Sequence, residues 1–142
     1  MKQGGFTLIE LTIALGILGL IAAVGMPVSL NFYSNYIFST EVSNAVRLLE
    51  QARSFSMNNK NQAAHGVRFE ENKLITFLSA YNPDEKTNQI FKQSKSKLVG
   101  EPKEIIFANY LGSIESTQTI KLSDGYATKT ISINEAGAIS VE

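Results

Sequence analysis

The stretch Gly5-Phe6-Thr7-Leu8-Ile9-Glu10 lies near the start of the chain, and an uncharged segment follows it directly. No Asp, Glu, Lys or Arg occurs between residues 11 and 40, and the part from Leu11 to Leu30 has only Thr12 and Ser29 as polar members. A helix of about 20 residues spans roughly 30 Å, which is the thickness of the hydrocarbon core of a bilayer. The sequence therefore predicts a membrane-spanning helix with a single acid, Glu10, at its beginning.

The residues alone leave two other interpretations of this segment open. The first is a secretory signal peptide, with Lys2 as its positive charge and Ala23-Val24-Gly25 as its small-residue cleavage site. The apolar run is longer than the roughly 7–15 residues of such a peptide, and an acid at its start is unusual. The second is a plain single-span anchor, which explains the length but not Glu10. An ionisable residue at the edge of a membrane helix is costly and indicates a function.

The hexapeptide resembles the processing signature of type IV pilins and of the pseudopilins of type II secretion and competence systems. The resemblance implies that a prepilin peptidase cleaves between Gly5 and Phe6 and that the new Phe6 amine is N-methylated. It divides the chain into a leader peptide (residues 1–5), a transmembrane and assembly half of the N-terminal helix (6–30) and a globular pilin-like domain (31–142) that includes the second half of the helix.

The same resemblance implies a place in the cell and a set of partners. It implies a single-pass protein of the bacterial cytoplasmic membrane, with its C-terminal domain outside the cytoplasm, that later enters a periplasmic or extracellular fibre. The implied partners are the prepilin peptidase/N-methyltransferase, membrane lipid before assembly, the inner-membrane assembly platform and other pilin or pseudopilin subunits. Lys2 in the leader agrees with the positive-inside rule.

Two residues are expected to govern assembly, and a third to shape the helix. Glu10 lies one helical turn after Phe6, so it can pair with its own Phe6 amine or with that of an adjoining subunit; the resemblance favours the second. Pro27 lacks an amide hydrogen and its ring crowds the carbonyl group of residue 23, which predicts a kink. In the resembled family this proline marks the segment that melts when the subunit enters the filament.

Beyond residue 40 the apolar pattern becomes one-sided. Apolar residues recur at spacings of three and four, and the charged residues between them fall mostly on the other sides of a helix. We expect this helix to run from Phe6 to about Asn59. The residues of the apolar face are Val42, Ala45, Val46, Leu49 and Ala52, widened by Leu48 and Phe55, and the charges left mostly to the other sides are Glu41, Arg47, Glu50 and Arg53.

The rest of the chain alternates with the period of β-strands. Residues 64–70 and 73–78 predict a hairpin around a Glu71-Asn72 turn. The polar stretch from Tyr81 to Pro102 predicts a long irregular loop, and a further antiparallel set follows at 105–107, 119–123, 128–134 and 138–141. The predicted fold is therefore α+β: a long N-terminal helix, membrane-spanning in its first half and amphipathic in its second, packed on an antiparallel β-sheet domain. This order resembles minor pilins and H-type pseudopilins.

Composition excludes most catalytic functions. Among the 142 residues there is one histidine, His65, and no cysteine, so no multi-histidine metal site, disulfide or cysteine nucleophile can form. Many major pilins close their C-terminal region with a disulfide loop, which favours a minor subunit here. Thirteen acids balance thirteen Lys and Arg residues, which argues against a polyanionic partner. We expect a structural subunit with no enzymatic activity, no cofactor and no metal.

A second function class remains as an alternative, namely a binding module displayed on a fibre for DNA, a surface or a secreted substrate. No acid lies between residue 86 and Gly100, and Phe91 is interleaved among the cations of this segment. Such a pattern can hold single-stranded nucleic acid through charge and stacking. The simpler interpretation is a solvated loop, and the balanced charge favours it. The cations concerned are Lys86, Lys92, Lys95 and Lys97.

Overall fold

A computed structural model of this chain describes residues 5–142, with the side chains of residues 24–31 left undescribed. A helix, α1, runs from Leu8 to Met57, and a short 3-10 turn follows at Lys60–Gln62. Left-handed backbone at Asn59, Asn61 and Gln62 prevents the helix from continuing. The predicted helix, from Phe6 to about Asn59, is therefore confirmed to within two residues at each end. The chain forms two compact units, Met1–Tyr36 and Ile37–Glu142.

In the first unit, large apolar side chains lie exposed on every side of α1. Their exposed fractions range from 54% at Ile17 to 81% at Leu8. Within the residues that the structure describes, no helical segment has both the length and the apolar character required to cross a membrane. The helix is continuous through Pro27. The side chain of Pro27 lies outside the described residues, so the kink stays a prediction.

The second unit contains eight strands in two antiparallel sheets. The order of the first sheet is β3-β2-β1-β5, and the order of the second is β4-β6-β7-β8. The strands of the first sheet are β1 (His65–Glu70), β2 (Lys73–Leu78), β3 (Gln89–Lys92) and β5 (Lys103–Phe107). Those of the second are β4 (Lys97–Leu98), β6 (Gln118–Ser123), β7 (Thr128–Ile133) and β8 (Ile139–Val141).

The predicted α+β class and the β1–β2 hairpin are confirmed, and two expectations about the strands are wrong. The hairpin has Glu70 opposite Lys73, so Glu71-Asn72 is the turn as predicted. The single expected sheet is instead two sheets. The segment 81–102 is not one irregular loop, because it contains two strands. Of these, β3 pairs with β2 and β4 pairs with β6. These strands have four and two residues, which is too short for an alternating pattern to stand out.

The core of the second unit lies between both sheets and residues 38–52 of α1, and it confirms the predicted amphipathic face. Buried apolar side chains come from all three layers, and full burial of a Val, Leu, Ile or Phe side chain contributes roughly 1.5–3 kcal/mol relative to exposure. From the helix they are Phe38, Val42, Ala45, Leu48, Leu49 and Ala52. From the sheets they are Val67, Phe69, Leu74, Ile105 and Phe107, together with Leu98, Ile120, Leu122, Ile131 and Ile133.

Candidate functional site

The predicted assembly residue Glu10 lies in the first turn of α1 and closes that turn together with Thr7. The Glu10 Oε2 atom accepts hydrogen bonds from the backbone N–H of Thr7 at 2.9 Å and from the Thr7 hydroxyl at 2.8 Å. In return, the Thr7 Oγ1 atom accepts one from the backbone N–H of Glu10 at 3.3 Å. This reciprocal arrangement is a capping box, which satisfies N–H groups that the start of a helix otherwise leaves without partners. Glu10 therefore has a role within its own chain.

The capping box uses only one of the two carboxylate oxygens. Both bonds go to Oε2, and among the described residues Oε1 has no hydrogen-bond partner. Phe6, the other predicted assembly residue, is 93% exposed next to this turn. A carboxylate near a helix N-terminus is also favoured by the helix dipole. The Glu10 carboxylate thus has its Oε2 atom engaged within the chain and its Oε1 atom not.

Sequence reasoning singled out Glu10 but missed Thr7. The signal was present, because Thr7-Leu8-Ile9-Glu10 has the T-x-x-E spacing of a capping box. The expected pairing of Glu10 with a Phe6 amine concerns the cleaved chain and stays a prediction. In the uncut chain, the carboxylate bonds Thr7 rather than Phe6.

The four lysines of the alternative binding site lie in different local settings. Lys97 Nζ is 3.8 Å from Glu71 Oε1, and Lys92 is opposite Lys73 in the β2–β3 register. Lys86 lines a cleft beside the helix. Phe91 is partly buried against the core, so its ring is not displayed for stacking with bases. A contact of these lysines with a polyanion stays an untested alternative.

Lys95 belongs to a loop whose backbone is hydrogen-bonded to Glu41, one of the charged residues expected mostly on the other sides of the helix. The Glu41 carboxylate accepts hydrogen bonds from the backbone N–H groups of Ser94, Lys95 and Ser96 at 2.6, 3.0 and 2.6 Å. Partial burial alone raises the pKa of the Glu41 carboxyl group. The hydrogen bonds from Ser96 and Ser94 outweigh that effect, so the pKa lies below its usual range.

We expect Glu41→Gln to destabilise the second unit at pH 7 by about 1–2 kcal/mol, because charge-assisted hydrogen bonds are replaced by neutral ones. A lowered pKa contributes stability above the ordinary carboxyl pKa of about 4.3, and this stability is lost as the pH falls through the lowered value. The gap in Tm between wild type and variant should therefore shrink below about pH 4. Glu50→Gln, an exposed change on the same helix, serves as the control. A Tm difference that stays the same at low pH would show that the ionised Glu41 carboxylate does not provide this stability.

Arg53 and Ser56 join the end of α1 to two loops and to the start of β1. The Arg53 guanidinium donates to the carbonyl oxygens of Gly112 at 3.2 Å and Ala136 at 3.0 Å. The buried Ser56 hydroxyl accepts a hydrogen bond from the backbone N–H of His65 at 2.8 Å. These contacts fix where the loops meet the helix.

The single histidine has a structural environment. His65 is buried, its Nε2 atom lies 2.9 Å from the carbonyl oxygen of Lys60, and its ring meets Phe55 edge to face. Among the residues that the structure describes, no group of three or more His, Cys, Asp or Glu side chains is placed to hold a metal ion.

One comparison with known proteins covers the end of the chain that holds the capping box. The prokaryotic N-terminal methylation motif matches residues 1–26. A fimbrial protein of Moraxella nonliquefaciens is 42% identical over 60 residues, which are 42% of this chain and 36% of that protein. Both findings support the pilin family. The match spans little more than a third of the length of that relative, and no solved structure matches this chain.

Proposed function

We propose that this chain is a structural subunit, a minor pilin or pseudopilin, of a type IV pilus or of a type II secretion or competence pseudopilus. A prepilin peptidase cleaves it between Gly5 and Phe6, the Phe6 amine is N-methylated, and the N-terminal helix carries it into the fibre. The supporting observation is the capped Glu10 carboxylate at the start of an exposed apolar helix, within the segment that matches the methylation motif.

The exposed apolar surface of α1 gives the physical reason for assembly. An isolated helix that is apolar on all sides is not stable in water and must be covered by lipid or protein. Covering one Leu or Ile side chain fully is worth roughly 1.5–3 kcal/mol, so the gain over a whole helix is large. The side chains concerned are Leu8, Ile9, Leu11, Ile13, Leu15, Ile17, Leu18, Leu20 and Ile21.

In this proposal two environments cover that surface in turn. Residues 6–30 lie in the cytoplasmic membrane of a bacterium before assembly, with the C-terminal domain outside the cytoplasm. The helices of other subunits then replace the lipid as the assembly platform adds the chain to a fibre. Such a subunit acts through its surfaces and needs neither an enzymatic activity nor a cofactor. The minor-pilin or H-type assignment rests on the order of elements and on the absence of cysteine.

Co-expression with a prepilin peptidase tests the proposal. Intact-mass measurement should show that the chain loses residues 1–5 and begins at Phe6. Gly5→Val should abolish this cleavage, because the processing signature has a glycine before the cut, and Gly5→Ala should retain more of it. Gly5 is exposed and a Cβ atom added there meets no atom within 4 Å, so neither change disturbs the described fold. Cleavage after Gly25 instead would overturn the proposal in favour of a signal peptide.

A further inference from the structure

A cleft of about 430 Å³ lies between residues 48–55 of α1 and the ends of strands β1, β2 and β3. Its size is within the range of roughly 300–1,000 Å³ that small-molecule sites occupy. All of its lining residues belong to the second unit. Neither the methylation motif nor the segment expected to drive assembly contributes to it.

The charged residues that line the cleft are all positive. Two lysines from different segments line it: Lys60 from the turn after α1 and Lys86 from the connection between β2 and β3. None of the residues lining the cleft is Asp or Glu. Both lysine side chains are exposed, so neither ammonium group is held by a buried ion pair. Two cations without a neighbouring acid in the lining favour an anion that carries more than one negative charge.

The remaining walls suit a ring. The Lys60 Nζ atom lies 3.6 Å from the centroid of the Phe55 ring, and His65 meets the same ring edge to face at a centroid distance of 5.3 Å. A cation over an aromatic ring keeps N–H groups that can still donate to an anion. Polar side chains that can bond hydroxyl or amide groups of a ligand also line the cleft: Gln51, Asn61, Thr76, Thr87 and Gln89.

We propose that this cleft binds a small phosphate monoester whose body is a ring, such as a nucleotide or a sugar phosphate. A phosphate monoester carries about −1.5 to −2 charge near pH 7, which two ammonium groups neutralise. The ring lies in the cleft beside Phe55 and Lys60, and the polar side chains bond its substituents. A long polyanion is disfavoured here, because Lys92 and Lys97 face other surroundings. This site is independent of fibre assembly.

The test uses the full chain, labelled with ¹⁵N, in a non-ionic detergent and phosphate-free buffer. AMP, UMP and glucose 6-phosphate are titrated beside their uncharged counterparts adenosine, uridine and glucose, and amide shifts of Gly66, Thr76 and Gln89 are followed. We expect at least one phosphate ester to shift these amides and to bind about tenfold or more tightly than its uncharged counterpart. Lys60→Gln and Lys86→Gln should each weaken that binding by about tenfold, the loss of roughly one charge-assisted hydrogen bond.

Lys92→Gln provides the matched control, because Lys92 is also an exposed lysine, at the end of the neighbouring strand β3, but does not line the cleft. It should leave the affinity unchanged. A retained pattern of well-dispersed amide signals shows that each variant is folded. Two results would overturn the proposal: none of the three esters binds more tightly than its uncharged counterpart, or Lys92→Gln weakens binding as much as Lys60→Gln and Lys86→Gln do.

Discussion

Glu10→Gln is expected to leave cleavage and membrane insertion intact but to remove the protein from sheared fibres. In the cleaved chain the Phe6 α-amine is positive near neutral pH, given an ordinary pKa of about 8, and methylation keeps that charge. A carboxylate within hydrocarbon costs a few kcal/mol, and pairing with the amine of an adjoining subunit relieves this cost. The same pair fixes the axial register of helices that otherwise present only apolar surface to one another. The measurement is the ratio of the protein in the fibre fraction to that in the membrane fraction.

The capping box makes Glu10→Gln more informative than Glu10→Val. Glutamine at this position can still accept the Thr7 N–H and hydroxyl bonds, so the neutral variant keeps the cap and loses only the charge. Glu10→Val loses both. Thr7→Val is the converse control, because it removes the capping hydroxyl and keeps the acid. A loss of capping costs about 0.5–2 kcal/mol, mostly in the first turn.

These variants separate the two roles of Glu10. If the charge sets the register, Glu10→Gln and Glu10→Val are both excluded from fibres, and Thr7→Val is still incorporated. If Glu10 serves only as a cap, Glu10→Gln assembles like wild type. This outcome would contradict the hypothesis that the charge sets the register. Unchanged cleavage in all three variants shows that the chain reached the peptidase.

The features that the sequence predicted well are those with a local periodic signal. The apolar stripe of α1 and the alternation on both sides of Glu71-Asn72 are set by residues near each other in the chain, and both are confirmed. The strands β3 and β4 were missed because their positions depend on partners, β2 and β6, and not on their own pattern. The division of the strands into two sheets depends on the same pairings between strands that are distant in sequence.

Polar residues of the helix show a similar limit. Glu41 and Arg53 were expected mostly on the other sides of the helix from the apolar stripe, and each binds backbone groups more than 50 positions away in sequence. Helical spacing shows which side of the helix such a residue occupies, but not which loop lies there. The Thr7–Glu10 cap differs, because it depends on four consecutive residues. Their T-x-x-E spacing was present in the sequence but was not interpreted as a capping box.

Gly137→Ala is expected to be among the most damaging single changes in the second unit. Gly137 has a left-handed backbone with φ 76°, and a side chain there would fall on the carbonyl oxygen of Gly112, with Arg53 Nε only 2.9 Å away. That carbonyl oxygen is also an acceptor for Arg53, so it cannot shift without loss of the hydrogen bond. Backbone strain costs about 1–2 kcal/mol, and displacement of the loop adds to it, giving about 3 kcal/mol or more.

Gly125→Ala is the matched control, because Gly125 also has positive φ, at 92°, but a side chain there meets no atom within 4 Å. The Gly125→Ala variant is therefore destabilised by backbone strain alone. At roughly 4 °C per kcal/mol, Gly137→Ala should lower the Tm of the full chain by about 12 °C or more, and Gly125→Ala by about 4–8 °C. Thermal unfolding followed by circular dichroism measures both. Equal losses for the two variants would show that the loops around Gly112 and Gly137 separate at little cost, and that the contacts of Arg53 do not hold them against the helix.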